Sequence, residues 1–110
     1  MNQYEIWWAD LPSPAGKRPV LLLSRSSAYG YLNKFIVAEI TSNIRGIAVE
    51  VPLGRGEGLS KSCVANCDNL RMVSKTRLVK KAGVLRRERH IAVKRAVGYA
   101  FAWDELMNLA

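Results

Sequence analysis

Residues 17–43 contain KRPVLLLS at 17–24 and IVAEITSN at 36–43, and the rest of the chain is arranged around these two stretches. Each is a short apolar run with β-branched residues, bounded by polar or turn-forming residues, as expected of a β-strand. We predict strands over 18–24 and 35–41. The segment between them is rich in Ser, Gly and Asn and is predicted to be a loop.

The polar residues at the ends of these strands are candidates for a binding site. Pro19 has no N–H for a strand ladder and belongs at a strand start or an edge, which places Arg18 at a rim of the sheet. If the two strands pair in antiparallel fashion, Thr41 and Ser42 lie at the same rim. A guanidinium beside two hydroxyls can bind a phosphate or another oxyanion. The simpler alternative is that Arg18 makes a surface ion pair and the hydroxyl residues only end a strand.

Three segments together carry a more specific pattern. They are RPVL at 18–21, VAEITSN at 37–43 and SCVANCDNLR at 62–71, and EIW at 5–7 precedes them. In this order and spacing they resemble the core motifs and first strand of the MazF/PemK toxin family of type II toxin–antitoxin systems. The resemblance extends from about residue 4 to residue 102, although the loop at 12–16 is shorter here than in the family.

The remaining secondary structure follows from the same apolar patterns. Further strands are predicted at 3–11, 48–53 and 79–85, and residues 62–67 and 69–74 form two short strands or one strand with a bulge. GRGEG at 54–58 is interpreted as a hairpin connection, and 74–78 as a helical turn. A helix is predicted over 87–103, with one apolar stripe formed by Val93, Ala96, Val97, Ala100 and Phe101.

Several short strands followed by one helix indicate a mainly β (β-rich α+β) fold, a small barrel closed by the helix. The length of 110 residues is that of one domain, spanning 1–110. The family resemblance implies an SH3-like barrel of the CcdB/MazF type, usually assembled as a homodimer.

The charge of the chain is unusually positive for its size. The net charge is +8, and ten of the 17 basic residues fall between residues 71 and 95, where Glu88 is the only acid. Such an imbalance indicates an anionic partner, either a nucleic acid or an acidic protein, although a solvated face that keeps the protein soluble is the alternative.

The cysteine, histidine and apolar patterns exclude several classes. Cys63 and Cys67 share a face of a predicted strand, with Cα atoms roughly 13 Å apart, which is too far for a disulfide. We predict that both are buried, reduced thiols. His90 is the only histidine, so a zinc site of paired Cys and His residues is excluded. With no apolar run near the roughly 20 residues of a spanning helix, and no signal peptide pattern, we expect a cytoplasmic protein without membrane contact.

The resemblance implies a sequence-specific endoribonuclease (an mRNA interferase) that cleaves single-stranded messenger RNA, needs no metal or cofactor, and inhibits growth. In that chemistry the ribose 2′-hydroxyl attacks the adjacent phosphorus, giving a 2′,3′-cyclic phosphate and a free 5′-hydroxyl. The resemblance implies catalytic roles for Arg18, which stabilises the phosphorane, for Thr41, which hydrogen-bonds the phosphate, and for Asp68, a candidate base or base-orienting group. The alternative for Asp68 is that it only caps a turn.

The RNA contacts are predicted from the same motifs and from the loop aromatics. The predicted RNA-binding residues are Lys17, Ser42, Asn43, Asn66, Tyr29 and Tyr31. The two tyrosines are included because RNA is recognised well as unstacked bases on exposed aromatic side chains. Glu39 stands where the family has a small residue or proline, and is either an exposed rim charge or a salt-bridge partner of Arg18.

Two other functional classes are compatible with the sequence. One is a CcdB-like toxin that acts on a protein such as gyrase, and the other is a non-catalytic nucleic-acid-binding barrel. By the family resemblance, the protein partner is a small acidic antitoxin that occupies the RNA groove.

Overall fold

The computed structural model describes residues 1–110 and contains six strands and two α-helices. The strands are β1 (Glu5–Asp10), β2 (Lys17–Leu22), β3 (Lys34–Thr41), β4 (Glu50–Leu53), β5 (Cys63–Ser74) and β6 (Leu78–Val84), and the helices are α1 (His90–Phe101) and α2 (Asp104–Met107). Short 3₁₀ turns occupy Ser26–Gly30, Arg55–Glu57, Lys75–Arg77 and Arg87–Arg89. Every predicted strand is confirmed within a few residues, whereas α2 was not predicted.

The strands form one curled antiparallel sheet in the order β4-β5-β3-β2-β1-β6. β2 and β3 pair in antiparallel fashion, the condition under which Arg18 and Thr41 were expected at one rim, with Val20 opposite Glu39 and Leu22 opposite Val37. β4 and β6 are the two edges of the sheet, and the 3₁₀ turn after β4 packs against β6. The predicted mainly β fold with a C-terminal helix is therefore confirmed.

The sheet buries apolar side chains on both faces. Ile6, Leu21 and Ile40 belong to one core cluster, which α1 covers with Val93 and Ala96. The second cluster, on the other face, includes Val20, Leu22, Phe35, Val37 and, from the β2–β3 connection, Tyr29. Because successive residues of a strand point to opposite faces, the near-continuous apolar runs of β2 and β3 supply both cores.

Residues 63–74 form a single strand with a bulge, β5, rather than two short strands. Ala38 of β3 pairs with Leu70, whereas the next residue, Glu39, pairs with Asn66. The intervening residues 67–69 have no partner on β3, so one strand continues through a large irregularity. Bulges of this kind re-aim side chains beside functional sites.

The predicted helix over 87–103 is shorter and ends differently. Its first turn is the 3₁₀ segment, and Ala102 adopts a left-handed conformation with φ of 56°, after which α2 folds back against Gly98. The prediction that Phe101 joins the apolar stripe is wrong, because the chain reverses there and its ring stacks on Trp103 at 4.7 Å while half-exposed. Neither helix has the length and apolar character needed to cross a bilayer.

Candidate active site

A cavity of about 240 Å³ lies where β2 begins and β3 ends. Its lining residues are Trp8, Lys17, Arg18, Pro19, Ile40, Thr41, Ser42, Leu59, Ser60, Lys61 and Cys63. The fold thus brings Lys17, Arg18, Thr41 and Ser42, which the sequence analysis singled out at two strand ends, to the same opening.

The β2–β3 register explains why Arg18 and Thr41 meet. Val20 lies opposite Glu39, and Arg18 and Thr41 each lie two residues further towards the same rim. Residues two apart in a strand share a face, so the side chains of Arg18 and Thr41 lie on the same face of the sheet as those of Val20 and Glu39. The site therefore combines one guanidinium with hydroxyl groups at a rim open to solvent.

The hydroxyl oxygen of Thr41 accepts a hydrogen bond from the main chain two residues further on. The N–H of Asn43 donates to Thr41 Oγ1 at 3.1 Å, so the oxygen already accepts one hydrogen bond. Its O–H remains available as a donor, the polarity needed to bind a phosphate oxygen. Asn43 is exposed and lies outside the cavity, so its contribution seen here is its main chain rather than its amide.

Glu39 is a salt-bridge partner of Arg18 and not a free rim charge. Its Oε1 lies 3.6 Å from Arg18 Nη1, and its Oε2 lies 3.2 Å from Arg71 Nη1. Of the two alternatives raised by the sequence, the ion pair is the one formed. One carboxylate thus sits between two arginines, one of which lines the cavity.

Asn66 and Asp68 lie in β5 beside this cluster but outside the cavity. Asn66 pairs with Glu39 in the register of the sheet, and its Oδ1 accepts a hydrogen bond from the Asp68 N–H at 2.9 Å. Asp68 is exposed in the bulge and makes no ion pair. Its carboxylate is therefore exposed to solvent, and the cavity does not enclose it.

The prediction that Tyr29 contacts RNA is wrong. Tyr29 is only 5 % exposed, its ring lies 4.4 Å from that of Phe35, and its hydroxyl donates to the Ser24 carbonyl at 2.9 Å. Burial, with the charge of Glu5, raises the pKa of Tyr29 to about 12. Loop composition alone does not distinguish an exposed aromatic residue from one that covers a core, and this residue covers the second cluster.

Tyr31, by contrast, is 62 % exposed. It interacts with Arg25, whose guanidinium carbon lies 5.7 Å from the centre of the ring. Both residues belong to the β2–β3 connection, so the length of β2 separates them from Arg18. Tyr31 can therefore contact only an RNA that extends well beyond the cavity, along the length of β2.

Trp8 and Lys61 line the cavity although neither was a predicted site residue. Trp8 is 40 % exposed and pairs with Pro19 of β2, and it also lines a second cavity of about 220 Å³ with Lys17 and Lys80. Trp8 could have been predicted to lie near the site if the first predicted strand was assumed to pair with the strand that contains RPVL. The sequence shows Lys61 only as a basic residue in a Gly- and Ser-rich loop. Its place at the cavity could not be predicted, because it depends on how that loop folds over the sheet.

The two cysteines are free and buried, which confirms the prediction of reduced thiols. Cys63 lines the floor of the cavity, and burial raises the pKa of its thiol. Burial, with the neighbouring charge of Asp68, raises the pKa of Cys67 to about 11. Neither sulfur is therefore a thiolate nucleophile at neutral pH.

Comparison with known proteins gives consistent family matches. Residues 2–101 match the family model described as PemK-like, MazF-like toxin of type II toxin-antitoxin system. The chain is 37 % identical over 87 residues to Endoribonuclease MazF3 of Mycobacterium tuberculosis, covering 79 % of this chain and 84 % of that protein. It is 38 % identical over 82 residues to the Probable endoribonuclease MazF5 of the same organism, covering 74 % of each.

Solved structures give the same result at the level of the fold. The Mycobacterium tuberculosis toxin MazF-mt6 superposes with a TM-score of 0.85 at 35 % identity, over 91 % of this chain and 98 % of that one. An endoribonuclease in complex with its cognate antitoxin, from a mycobacterial species, superposes with a TM-score of 0.81 at 19 % identity, over 94 % of this chain and 96 % of that one. These matches favour the MazF interpretation over the CcdB-like alternative, and the chain belongs to the PemK-like, MazF-like toxin family of type II toxin–antitoxin systems.

Proposed function

We propose that the protein is a toxin that cleaves single-stranded messenger RNA in the cytoplasm as a sequence-specific endoribonuclease, without a metal ion. The observation that carries the proposal is the cavity that joins Arg18 to the hydroxyls of Thr41 and Ser42. Membership of the toxin family, with relatives named endoribonucleases, supports the same activity.

The reaction that suits this site begins with attack of a ribose 2′-oxygen on the adjacent phosphorus. The P–O bond to the next nucleotide's 5′-oxygen breaks, which leaves a 2′,3′-cyclic phosphate and a 5′-hydroxyl. Negative charge increases on the non-bridging oxygens in the phosphorane, and fixed cationic and hydrogen-bonding groups stabilise that charge most. Arg18 supplies the cation and the planar N–H donors, and Thr41, with Ser42, supplies short hydroxyl donors.

Two proton transfers complete the step. One group removes the 2′ proton, and another protonates the departing 5′-oxygen. Asp68 is our candidate for the first role, because its carboxylate is exposed and unpaired on the strand beside Glu39. A guanidinium gives up a proton poorly, so Arg18 acts mainly through its charge, with any relay of a proton to the leaving oxygen a secondary role.

Groups around the cavity suit the neighbouring nucleotides. Lys17 and Lys61 lie on its lining and can each hold a flanking phosphate. Trp8 offers a half-exposed indole on which a base can stack. Ser42, Asn43 and Asn66 are proposed to contact the RNA at the same rim. Tyr31 is proposed to contact nucleotides further away, beyond the other end of β2.

The proposed protein partner is a small acidic antitoxin, and the proposed assembly is a homodimer. The net charge of +8 suits an acidic partner, and a mycobacterial endoribonuclease of the same fold was solved with its cognate antitoxin. Light scattering coupled to gel filtration tests the dimer, for which the expected mass is twice the 12.3 kDa of one chain.

The deciding experiment is cleavage of a long single-stranded RNA in EDTA, with mapping of the fragment ends. We expect discrete cuts bearing 5′-hydroxyls from the wild type and their loss in Arg18→Ala. Arg87→Ala is the matched control, because Arg87 is an exposed arginine in the turn before α1. Intact RNA at high enzyme concentration, or equal cutting by Arg18→Ala, would contradict the proposal and favour a binding module.

A further inference from the structure

Glu39 forms an ion pair with Arg18, the arginine that the proposed function uses. We propose that Glu39 is a positioning residue, which aims Arg18 at the scissile phosphate and, together with Arg71, sets the charge of the site. This inference rests on the proposed ribonuclease function.

The strand register places the three side chains on one face. Glu39 lies on β3 between β2 and β5. Val20 is its partner on β2, so Arg18 is its diagonal neighbour there, and Arg71, the partner of Val37, is its diagonal neighbour on β5. Diagonal neighbours lie within reach of long side chains. The arrangement is therefore built into the pairing of three strands rather than into a mobile loop.

The two arginines are bound unequally. Arg71 donates a hydrogen bond to Glu39 at 3.2 Å, whereas Arg18 approaches the other carboxylate oxygen only to 3.6 Å and makes no hydrogen bond. Arg71 thus anchors the carboxylate. Arg18 is attracted to Glu39, which shares a face of β3 with Thr41, while its N–H donors stay free for a phosphate.

Exposure distinguishes the carboxylate from the two arginines, which are exposed to a similar extent. The Glu39 side chain is 13 % exposed, whereas those of Arg18 and Arg71 are 32 % and 35 % exposed. The carboxylate is covered and each guanidinium keeps an open side. The cluster carries one net positive charge, because two cations surround one anion.

These features predict opposite effects on binding and on the chemical step. The Glu39 charge weakens attraction of the RNA phosphate, since it cancels one of the two cations nearby. The same charge keeps Arg18 from moving away from Arg71, which repels it. Removing the charge should therefore tighten RNA binding and slow cleavage, a combination that loss of a simple RNA contact does not produce.

The test compares kcat and KM of wild type, Glu39→Gln, Arg71→Ala and the double variant on an oligonucleotide that carries the mapped cleavage sequence. Gln keeps the length of the side chain and removes the charge. For Glu39→Gln we expect kcat to fall by about 10- to 100-fold, where the larger loss corresponds to a misplacement of about 1 Å. We expect KM to fall, with a steeper dependence of binding on salt concentration.

Arg71→Ala tests the anchor without touching the cavity. With Arg71 gone, the carboxylate is left to Arg18 alone and competes with the phosphate, so kcat should fall and KM should rise. In the Glu39→Gln background the same change should not lower kcat further and should restore part of it, because it removes the cation that repels Arg18. Thermal unfolding of each variant separates these effects from loss of folded protein.

Several results would overturn the inference. They are an unchanged kcat for Glu39→Gln, a raised KM with kcat unchanged, or equal effects of Arg71→Ala in the two backgrounds. Failure of the proposed function is distinguishable from these results, because it leaves wild-type protein unable to cut the RNA or Arg18→Ala as active as wild type.

Discussion

Gly58 and Gly83 approach each other so closely that neither position has room for a side chain. A Cβ on Gly83 would overlap the carbonyl of Glu57, and one on Gly58 would overlap the carbonyl of Ala82. Gly83 belongs to the edge strand β6, and Gly58 follows the opposite edge strand β4. The contact therefore joins the two ends of the curled sheet and holds the loop that carries Lys61 to the cavity.

Gly83→Ala should destabilise the protein by about 1–3 kcal/mol, because the added methyl meets backbone atoms that cannot rotate away. Urea unfolding at neutral pH measures the change. Gly30→Ala is the matched control, since a Cβ there meets no atom within 4 Å, and it should change the unfolding free energy by less than about 0.5 kcal/mol. Equal unfolding midpoints for the two variants would show that the edges do not need this contact.

Lys61→Ala should weaken RNA binding without abolishing cleavage, because Lys61 lines the cavity but has no part in the proposed proton transfers or in binding the scissile phosphate. Loss of one phosphate contact should reduce the slope of log affinity against log salt concentration by about 0.7, the value for single strands. Lys34→Ala is the control, since Lys34 is an exposed lysine at the opposite end of β3. An unchanged salt slope for Lys61→Ala would exclude a phosphate contact.

Glu50→Gln should lower stability at neutral pH and have less effect in acid. Burial raises the pKa of the Glu50 carboxyl, but N–H donation by Gly46, Arg45 and Ile47 outweighs it, so its pKa lies below the ordinary 4.5. A carboxyl with a lowered folded-state pKa stabilises the fold above its unfolded-state pKa, and loses that contribution as the pH falls through the folded-state value.

Urea unfolding at a series of pH values from 7 to 3 tests this. The difference between wild type and Glu50→Gln should be constant above about pH 5.5 and should shrink below about pH 4.5, where the unfolded-state carboxyl is protonated. Glu88→Gln, which changes an exposed carboxylate in the turn before α1, should alter the midpoint little. A Glu50 difference that stays constant down to pH 3 would contradict the linkage.

The thiol of Cys67 should resist alkylation in the native protein. Its pKa of about 11 leaves very little thiolate at pH 8, and its side chain is covered by the core. Iodoacetamide labelling followed by mass spectrometry should find the folded protein unmodified and the urea-unfolded protein modified at both Cys63 and Cys67. Rapid labelling of folded Cys67 would show that this part of β5 opens readily.

Local patterns in the chain were sufficient for much of the fold. Short apolar runs and turn residues indicated all six strands, because alternate residues of a strand share a face and leave a local pattern in the sequence. The pairing of two such strands also explains why Arg18, Thr41 and Ser42 share a rim, although β2 begins at Lys17, two residues before Pro19. The helix end at Phe101 was missed because it depends on α2 packing back onto Gly98.

The sequence by itself thus determined the strands, the positive charge, the family and the arginine–hydroxyl rim. Only the tertiary structure decided that Glu39 binds both Arg18 and Arg71, that Lys61 reaches the cavity, and that Tyr29 is buried. The physical reason is distance along the chain. These contacts join residues whose separation in sequence carries no periodic signal, and they form only when the sheet curls and its loops pack over the rim.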